Sequence, residues 1–142
     1  MLYLAAGLSA VAWLPFAHSF APFATRRVAD LNFISCAYSR QTVRIVGTDP
    51  GVTAAYNGGT HMPFEDMATL MGFAGITLVE PADTVQLEWL IRTLQKEEGV
   101  FYIRMLRKLA DSVYEPGSTF QLGKAPVLRE GKDVCIAASG IM

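Results

Sequence analysis

Apolar and polar positions along this chain switch between a helical and an extended period, and the switches mark the elements. Met1 to Ala17 is apolar almost without a break. It reads as a buried helix over Leu2–Trp13 and a short buried strand over Leu14–Ala17. Pro22 suits the first turn of a second helix, with Ser19 nearby as its cap. Val28, Leu31, Ile34 and Tyr38 recur at spacings of three, three and four and form one face of it. Thr42–Val46 is short, β-branched and closed by Gly47, which predicts a strand. Pro63 opens a third helix with Phe64, Met67, Ala68 and Met71 on one face, and Ile76–Val79 is a further strand. Asp83-Thr84-Val85-Gln86 has the form of a capping box. Behind it Leu87, Leu90, Ile91 and Leu94 make an apolar stripe, with Glu88 and Arg92 paired on the wet side. Gly99 ends that helix before a strand over Val100–Ile103. Ala110–Lys132 reads as turns punctuated by Gly117, Gly123 and Gly131, and Asp133–Ala138 as a last buried strand.

Strands alternating with helices predict an α/β fold, a mostly parallel sheet with helices on both faces. In such sheets ligands sit beyond the carboxyl ends of the strands. The segment Gly47–His61, rich in glycine and turn formers, leaves from such an end. Loops of this length are uncommon unless they are functional or disordered, so chemistry is expected there.

Composition narrows the picture. With 142 residues, 51% of them hydrophobic and 18% charged, the chain has apolar surface enough for one buried core, which excludes a disordered or collagen-like protein. A net charge of −1 leaves no electrostatic footprint for nucleic acid, so no nucleic-acid partner is expected. Cys36 and Cys135 are too few for a disulfide framework, lack zinc-finger spacing, and lie in apolar runs that mark both as small core residues.

The apolar beginning has two competing readings. A membrane span needs about 20 apolar residues, and Pro15 and His18 interrupt the run. A secretory signal has a basic start, and neither Lys nor Arg precedes Leu2, although Ala17-His18-Ser19 is a passable cleavage context that keeps secretion open. A buried helix is preferred, with no membrane partner. A helix starting at Met1 has no N-cap residue before it, which points to the later part of a longer chain.

Three groups of residues can carry chemistry. Asn57-Gly58-Gly59-Thr60-His61 sets polar side chains around a glycine pair, where backbone can approach a ligand and His61 can exchange a proton near neutral pH. The dinucleotide and phosphate-loop patterns are missing, so these glycines are not a nucleotide cradle. Phe20 and Phe23 flank Pro22 at a strand-to-helix corner and can serve the core or stack on a flat heteroaromatic ring. Arg104, Arg107 and Lys108 form a cationic cluster after a strand, solvated or suited to a phosphate or carboxylate. No reaction follows from these alone.

His18-Ser19-Phe20-Ala21-Pro22-Phe23-Ala24-Thr25-Arg26-Arg27, then Arg44-Ile45-Val46-Gly47, Gly58-Gly59-Thr60-His61-Met62-Pro63-Phe64-Glu65-Asp66 and Glu80-Pro81-Ala82-Asp83, resemble the pyrimidine-binding domain of transketolases. The likeness covers the whole chain and is greatest to the C-terminal subunit of transketolases whose gene is split in two. It implies a domain of the thiamin diphosphate superfamily that lies against the cofactor's aminopyrimidine. In that family a Gly-Asp-Gly motif holds the diphosphate with its Mg or Ca; none occurs here, so the resemblance implies a partner, the N-terminal subunit, that holds them. By the same resemblance, Phe20 and Phe23 line the ring, and Arg26 stands beside it where many transketolases have a tyrosine. His61 is the catalytic residue facing the sugar's hydroxyls and reacting carbonyl. Asn57 stands where full-length relatives have an aspartate facing the donor's hydroxyl, and Arg107 grips the substrate phosphate.

Transketolase chemistry moves a two-carbon ketol unit between sugar phosphates. A 1-deoxyxylulose-phosphate synthase or 2-oxoacid dehydrogenase subunit, or a non-catalytic interaction module, are the alternatives; the full Gly-Gly-Thr-His-x-Pro loop favours transketolase. Met1 aligns just after the family's catalytic glutamate, and Ile141-Met142 where a C-terminal domain begins. Residues 1–142 are therefore expected to be a pyrimidine-binding domain truncated at both ends, inactive alone, self-associating and cytoplasmic.

Overall fold

The computed structural model describes residues 1–108 and 110–141; Met142, at the expected junction with a further domain, lies outside them. Four parallel strands, β1 (Phe16–Phe20), β2 (Val43–Thr48), β3 (Ile76–Val79) and β4 (Val100–Met105), form one sheet in the order β1-β2-β4-β3. Phe16 pairs with Arg44, Val43 with Val100 and Ile76 with Val100. All four carboxyl ends therefore face the same edge.

Helices cover both faces, as the alternating pattern requires. On one side α1 (Leu2–Ala10), α2 (Ala21–Ala24) and α4 (Asp66–Met71) enclose a core of Leu2, Ala5, Ala24, Cys36, Val43, Ile45, Leu70 and Tyr102. On the other, α5 (Thr84–Leu94) lays Leu90 and Leu94 on Val46, Phe101 and Ile103. Both faces of β2 and β4 are buried, which is why Val100–Ile103 is a continuous apolar run rather than an alternating one and why Arg44, in β2, is buried among Val43, Ile45 and Val46. The Asp83 side chain accepts from the Gln86 amide and the Gln86 side chain accepts from the Ala82 amide, so the predicted cap forms. Glu88 and Arg92 pair at 2.8 Å.

Several expectations are corrected. The first helix ends at Ala10, not Trp13, and only Leu2, Ala5 and Ala6 of it are buried. Ser19 does not cap α2; it lies in β1, and Phe20 stands at the cap position. The second helix is broken into α2, a 3-10 turn (Arg26–Val28), α3 (Ala29–Leu31) and a π-wound segment (Asn32–Tyr38). Wider winding moves the inward face to Asn32, Cys36 and Ala37 and turns Ile34 and Tyr38 to solvent. In α4 the inward positions are Asp66 and Leu70, not Phe64, Ala68 and Met71, because Asp66 has buried polar partners. Cys36 is in the core, and burial pushes its thiol up to about 11. Cys135 is exposed. Asp133–Ala138 is neither a strand nor buried: among the described residues no strand pairs with it, and Val134 and Ile136 face solvent.

Candidate functional site

The carboxyl edge of β1, β2 and β4 gathers the residues singled out in the sequence. Phe20 closes β1 and Phe23 lies one turn on, their rings edge to face with centroids 6.1 Å apart. The His61 ring meets both edgewise, at 4.9 Å from each centroid. The corner beneath them is closed by Ala21, Pro22 and Ala24, all buried. Proline in the first helical turn fits because that turn has no intrahelical acceptor for its missing N–H. The result is a half-buried apolar wall with one imidazole in it.

The long loop brings His61 there through two fixtures. The Gly51 amide donates to the Pro63 carbonyl at 2.8 Å, closing the loop at its base. Gly58 adopts φ +74° and its carbonyl accepts from the His61 amide at 3.0 Å, a turn that needs the left-handed freedom of glycine. Thr60 Oγ1 lies 2.9 Å from His61 Nδ1. When that hydroxyl donates, the ring proton sits on Nε2 and a donor points away from Thr60.

Arginines frame the wall. Arg26 does not stack on a ring; it pairs with Glu65 at 2.8 Å and reaches the Thr60 carbonyl at 3.4 Å. Burial raises the Glu65 carboxyl, but its own amide, the Phe64 amide and Arg26 outweigh that and hold it below its ordinary range. Arg27 lies over Phe23 at 5.2 Å and Arg107 over Phe20 at 4.5 Å. Arg107 Nε also donates to Asp49, so this guanidinium is stacked and paired together. Asn57 is exposed at the end of a 3-10 helix over Gly51–Asn57, and among the described residues it makes no hydrogen bond to the cluster.

The expected cationic cluster separates into three environments. Lys108 lies over the Tyr56 ring at 5.7 Å. Arg104 is withdrawn from solvent, bonded to Asp66 at 2.8 Å and Glu80 at 2.5 Å. Burial works against its charge, and the bonds and charges of the two carboxylates more than restore it. Tyr102 donates to the same Asp66 at 2.8 Å; burial, then that carboxylate, push its phenol far up. Arg104 is thus a structural cation, and only Arg107 of the three stands at the aromatic wall.

Sequence reading gave no role to Asp49, Asp66 or Glu80. For Asp49 a signal existed: an acidic residue directly after a buried strand, at the edge where ligands bind. The Asp66–Tyr102 pair had none, since 36 residues separate its members.

Residues 1–112 match the family model described as transketolase, pyrimidine binding domain. Over 142 residues the chain is 46% identical to the 6-deoxy-6-sulfo-D-fructose transketolase subunit SqwH of Clostridium sp. (strain MSTE9), covering 100% of this chain and 44% of that protein. It is 36% identical over 108 residues to a subunit of the apulose-4-phosphate transketolase of Phocaeicola vulgatus, covering 75% of this chain and 35% of that one. A solved structure described as a split gene transketolase, inactive beta4 tetramer, superposes with a TM-score of 0.88 at 36% identity, over 97% of this chain and 44% of its own. The chain spans less than half the length of these relatives. Sequence matched to the family model over residues 1–112 and a sheet that superposes on the split-gene transketolase lead to one family, and the chain belongs to the pyrimidine-binding domains of transketolases.

Proposed function

We propose that this chain is the pyrimidine side of a thiamin diphosphate-dependent transketolase, working with a partner subunit that holds the diphosphate through Mg or Ca and moving a two-carbon ketol unit between sugar phosphates. The observation that carries the reading is the meeting of Phe20, Phe23 and His61 at the carboxyl edge of the sheet. Two half-buried rings over a closed corner fit a flat aminopyrimidine, which gains from aromatic contact on an apolar wall. Thiamin diphosphate, when bound, supplies the electron sink for breaking and making a carbon–carbon bond. Phe20 and Phe23 hold its ring. His61, oriented by Thr60, donates from Nε2 to a substrate oxygen as charge gathers there, an interaction strongest in the transition state. Arg26 braces the loop through Glu65 and Thr60, and Asn57 stands ready to bond a sugar hydroxyl. One relative is named for a sulfonated sugar and another for a phosphorylated one; both have a terminal anion, and Arg107 is the group to meet it.

Self-association is part of the same proposal. Tyr3, Leu4, Val11 and Trp13 in and after α1 are exposed, as are Ile34 and Tyr38 in the π-wound segment beside it. Apolar surface of this extent marks an interface. Among the described residues no helix is long and apolar enough to cross a membrane. We place the enzyme in the cytoplasm, in pentose phosphate metabolism.

The test mixes a complete subunit containing this domain with the partner subunit, thiamin diphosphate and Mg, and follows two-carbon transfer from xylulose 5-phosphate, hydroxypyruvate or pyruvate. Transfer from the first two in the mixture, and none by this chain alone, is expected. Turnover by the chain alone, or with pyruvate only, overturns the reading.

A further inference from the structure

We propose that Asp49 is a positioning residue for Arg107 and that the pair gives this site its preference for substrates with a terminal phosphate, an inference that rests on the transferase reading above. Arg107 is constrained on three sides. Its Nε donates to Asp49 Oδ2, its backbone amide donates to Asp49 Oδ1 at 3.3 Å, and its guanidinium lies 4.5 Å from the centre of the Phe20 ring. Among the described residues its two terminal amino groups bond no protein acceptor, and its side chain is 55% exposed. The edge left open is the one that binds an anion with two parallel bonds.

The anchor is rigid where the arginine is open. The Asp49 side chain is 2% exposed. Its backbone amide donates to the Met105 carbonyl at 3.0 Å, one step beyond the last β2–β4 pair, Thr48 with Met105. Its φ is +53°, a left-handed conformation that aspartate and asparagine tolerate better than other side chains. A carboxylate held this way cannot follow the arginine, so the arginine follows it. Asp49 fixes the plane of the fork, and Phe20 ties that plane to the wall that holds the cofactor ring.

Asp49→Asn is the informative change, because it keeps shape and left-handed tolerance and removes the charge. In an assembled enzyme whose complete subunit carries this domain, KM for a phosphorylated aldose acceptor should rise about tenfold or more, the order of one charge-assisted hydrogen bond. KM for the same aldose without phosphate, and kcat for both, should stay within about twofold. In an Arg107→Lys background, Asp49→Asn should add nothing to the phosphate preference. Equal losses for both acceptors would make Asp49 merely structural and overturn the proposal. A lower KM for the phosphorylated acceptor would show that Asp49 competes with substrate, and would overturn it too. Inorganic phosphate titrated onto the complex, read from the Arg107 Nε–H resonance, gives an answer independent of turnover. Weaker binding in Asp49→Asn supports the proposal and equal binding refutes it. A complex that transfers no ketol unit with either acceptor refutes the transferase reading, and the phosphate titration then decides the role of Asp49 alone.

Discussion

Replacing Arg44 by alanine should destabilise this domain by about 3 kcal/mol while leaving the ligand edge in place. Arg44 is fully buried in β2, at the edge of the sheet opposite the aromatic wall. Its Nε and Nη2 donate to the Leu94 carbonyl at 3.0 and 2.6 Å, Nη1 donates to Gly99 at 2.6 Å, and Nη2 also bonds Glu97. The guanidinium lies over Phe101 at 4.8 Å. It therefore gathers the carbonyl end of α5 and the turn into β4 onto one cation. Burial pulls its pKa down, opposed by Glu97, yet the group has no cheaper state than charged. Truncation leaves three carbonyls without their donor, at roughly 1 kcal/mol each, and removes about 0.5 kcal/mol of favourable charge at a helix carboxyl end. Release from the cost of burying the cation offsets part of this, which sets the net near 3 kcal/mol. Arg44→Lys keeps the charge and loses the fork, and should cost about half as much. Urea unfolding at matched protein concentration measures this, read as a midpoint shift at constant slope. A loss below about 1 kcal/mol for Arg44→Ala would show that the hub is dispensable.

The remaining expectations concern the site, the cap of α5 and the surface. In the assembled enzyme, His61→Ala should lower turnover by roughly 10²–10³ at saturating cofactor with cofactor affinity almost unchanged; Phe23→Ala should do the reverse, weakening cofactor binding in a way that added thiamin diphosphate partly rescues. Steady-state kinetics with cofactor titration separates the two, and a His61→Ala enzyme retaining most activity contradicts the role given to the loop. Asp83 caps α5 and also accepts from the Val113 and Tyr114 amides at 2.8 Å; burial raises its carboxyl, and the amide bonds outweigh burial and hold it below its ordinary range. Its folded pKa being the lower, its stabilisation is complete above the unfolded value of about 3.9 and is lost as pH falls through the folded one, so acid unfolding curves of wild type and Asp83→Asn should converge below about pH 4. A constant difference down to pH 2 excludes this. Light scattering of the isolated chain at tens of micromolar should show dimers or larger species, reduced by Leu4→Glu, and a monodisperse wild-type monomer counts against the exposed α1 surface as an interface.

Local chemistry made much of this protein legible in its sequence. The capping box at Asp83, the stripe Leu87–Leu94, the β-branched run of β2 and the apolar run Val100–Ile103 of β4 are nearest-neighbour signals, so they needed no tertiary partner to be read. Phe20, Phe23 and His61 were legible as candidates because an aromatic pair around proline and a histidine after two glycines are unusual strings. What the chain order left undecided is every choice that depends on a distant neighbour. The inward face of Asn32–Tyr38 follows from π winding against α1 and the sheet, which overrides a helical spacing of apolar residues. Cys135 and Ile136 have the pattern of a buried strand, yet burial requires a strand beside them. Gly47 reads as a strand terminator, whereas the fold needs it because a Cβ there would fall on the Tyr102 ring. Arg104 and Arg107, three residues apart and alike in sequence, part company: one is sealed between Asp66 and Glu80, the other held open at the wall by Asp49. Charge is written in the sequence; whether it is satisfied inside the protein or offered to a ligand is settled only by the carboxylates the fold brings to it.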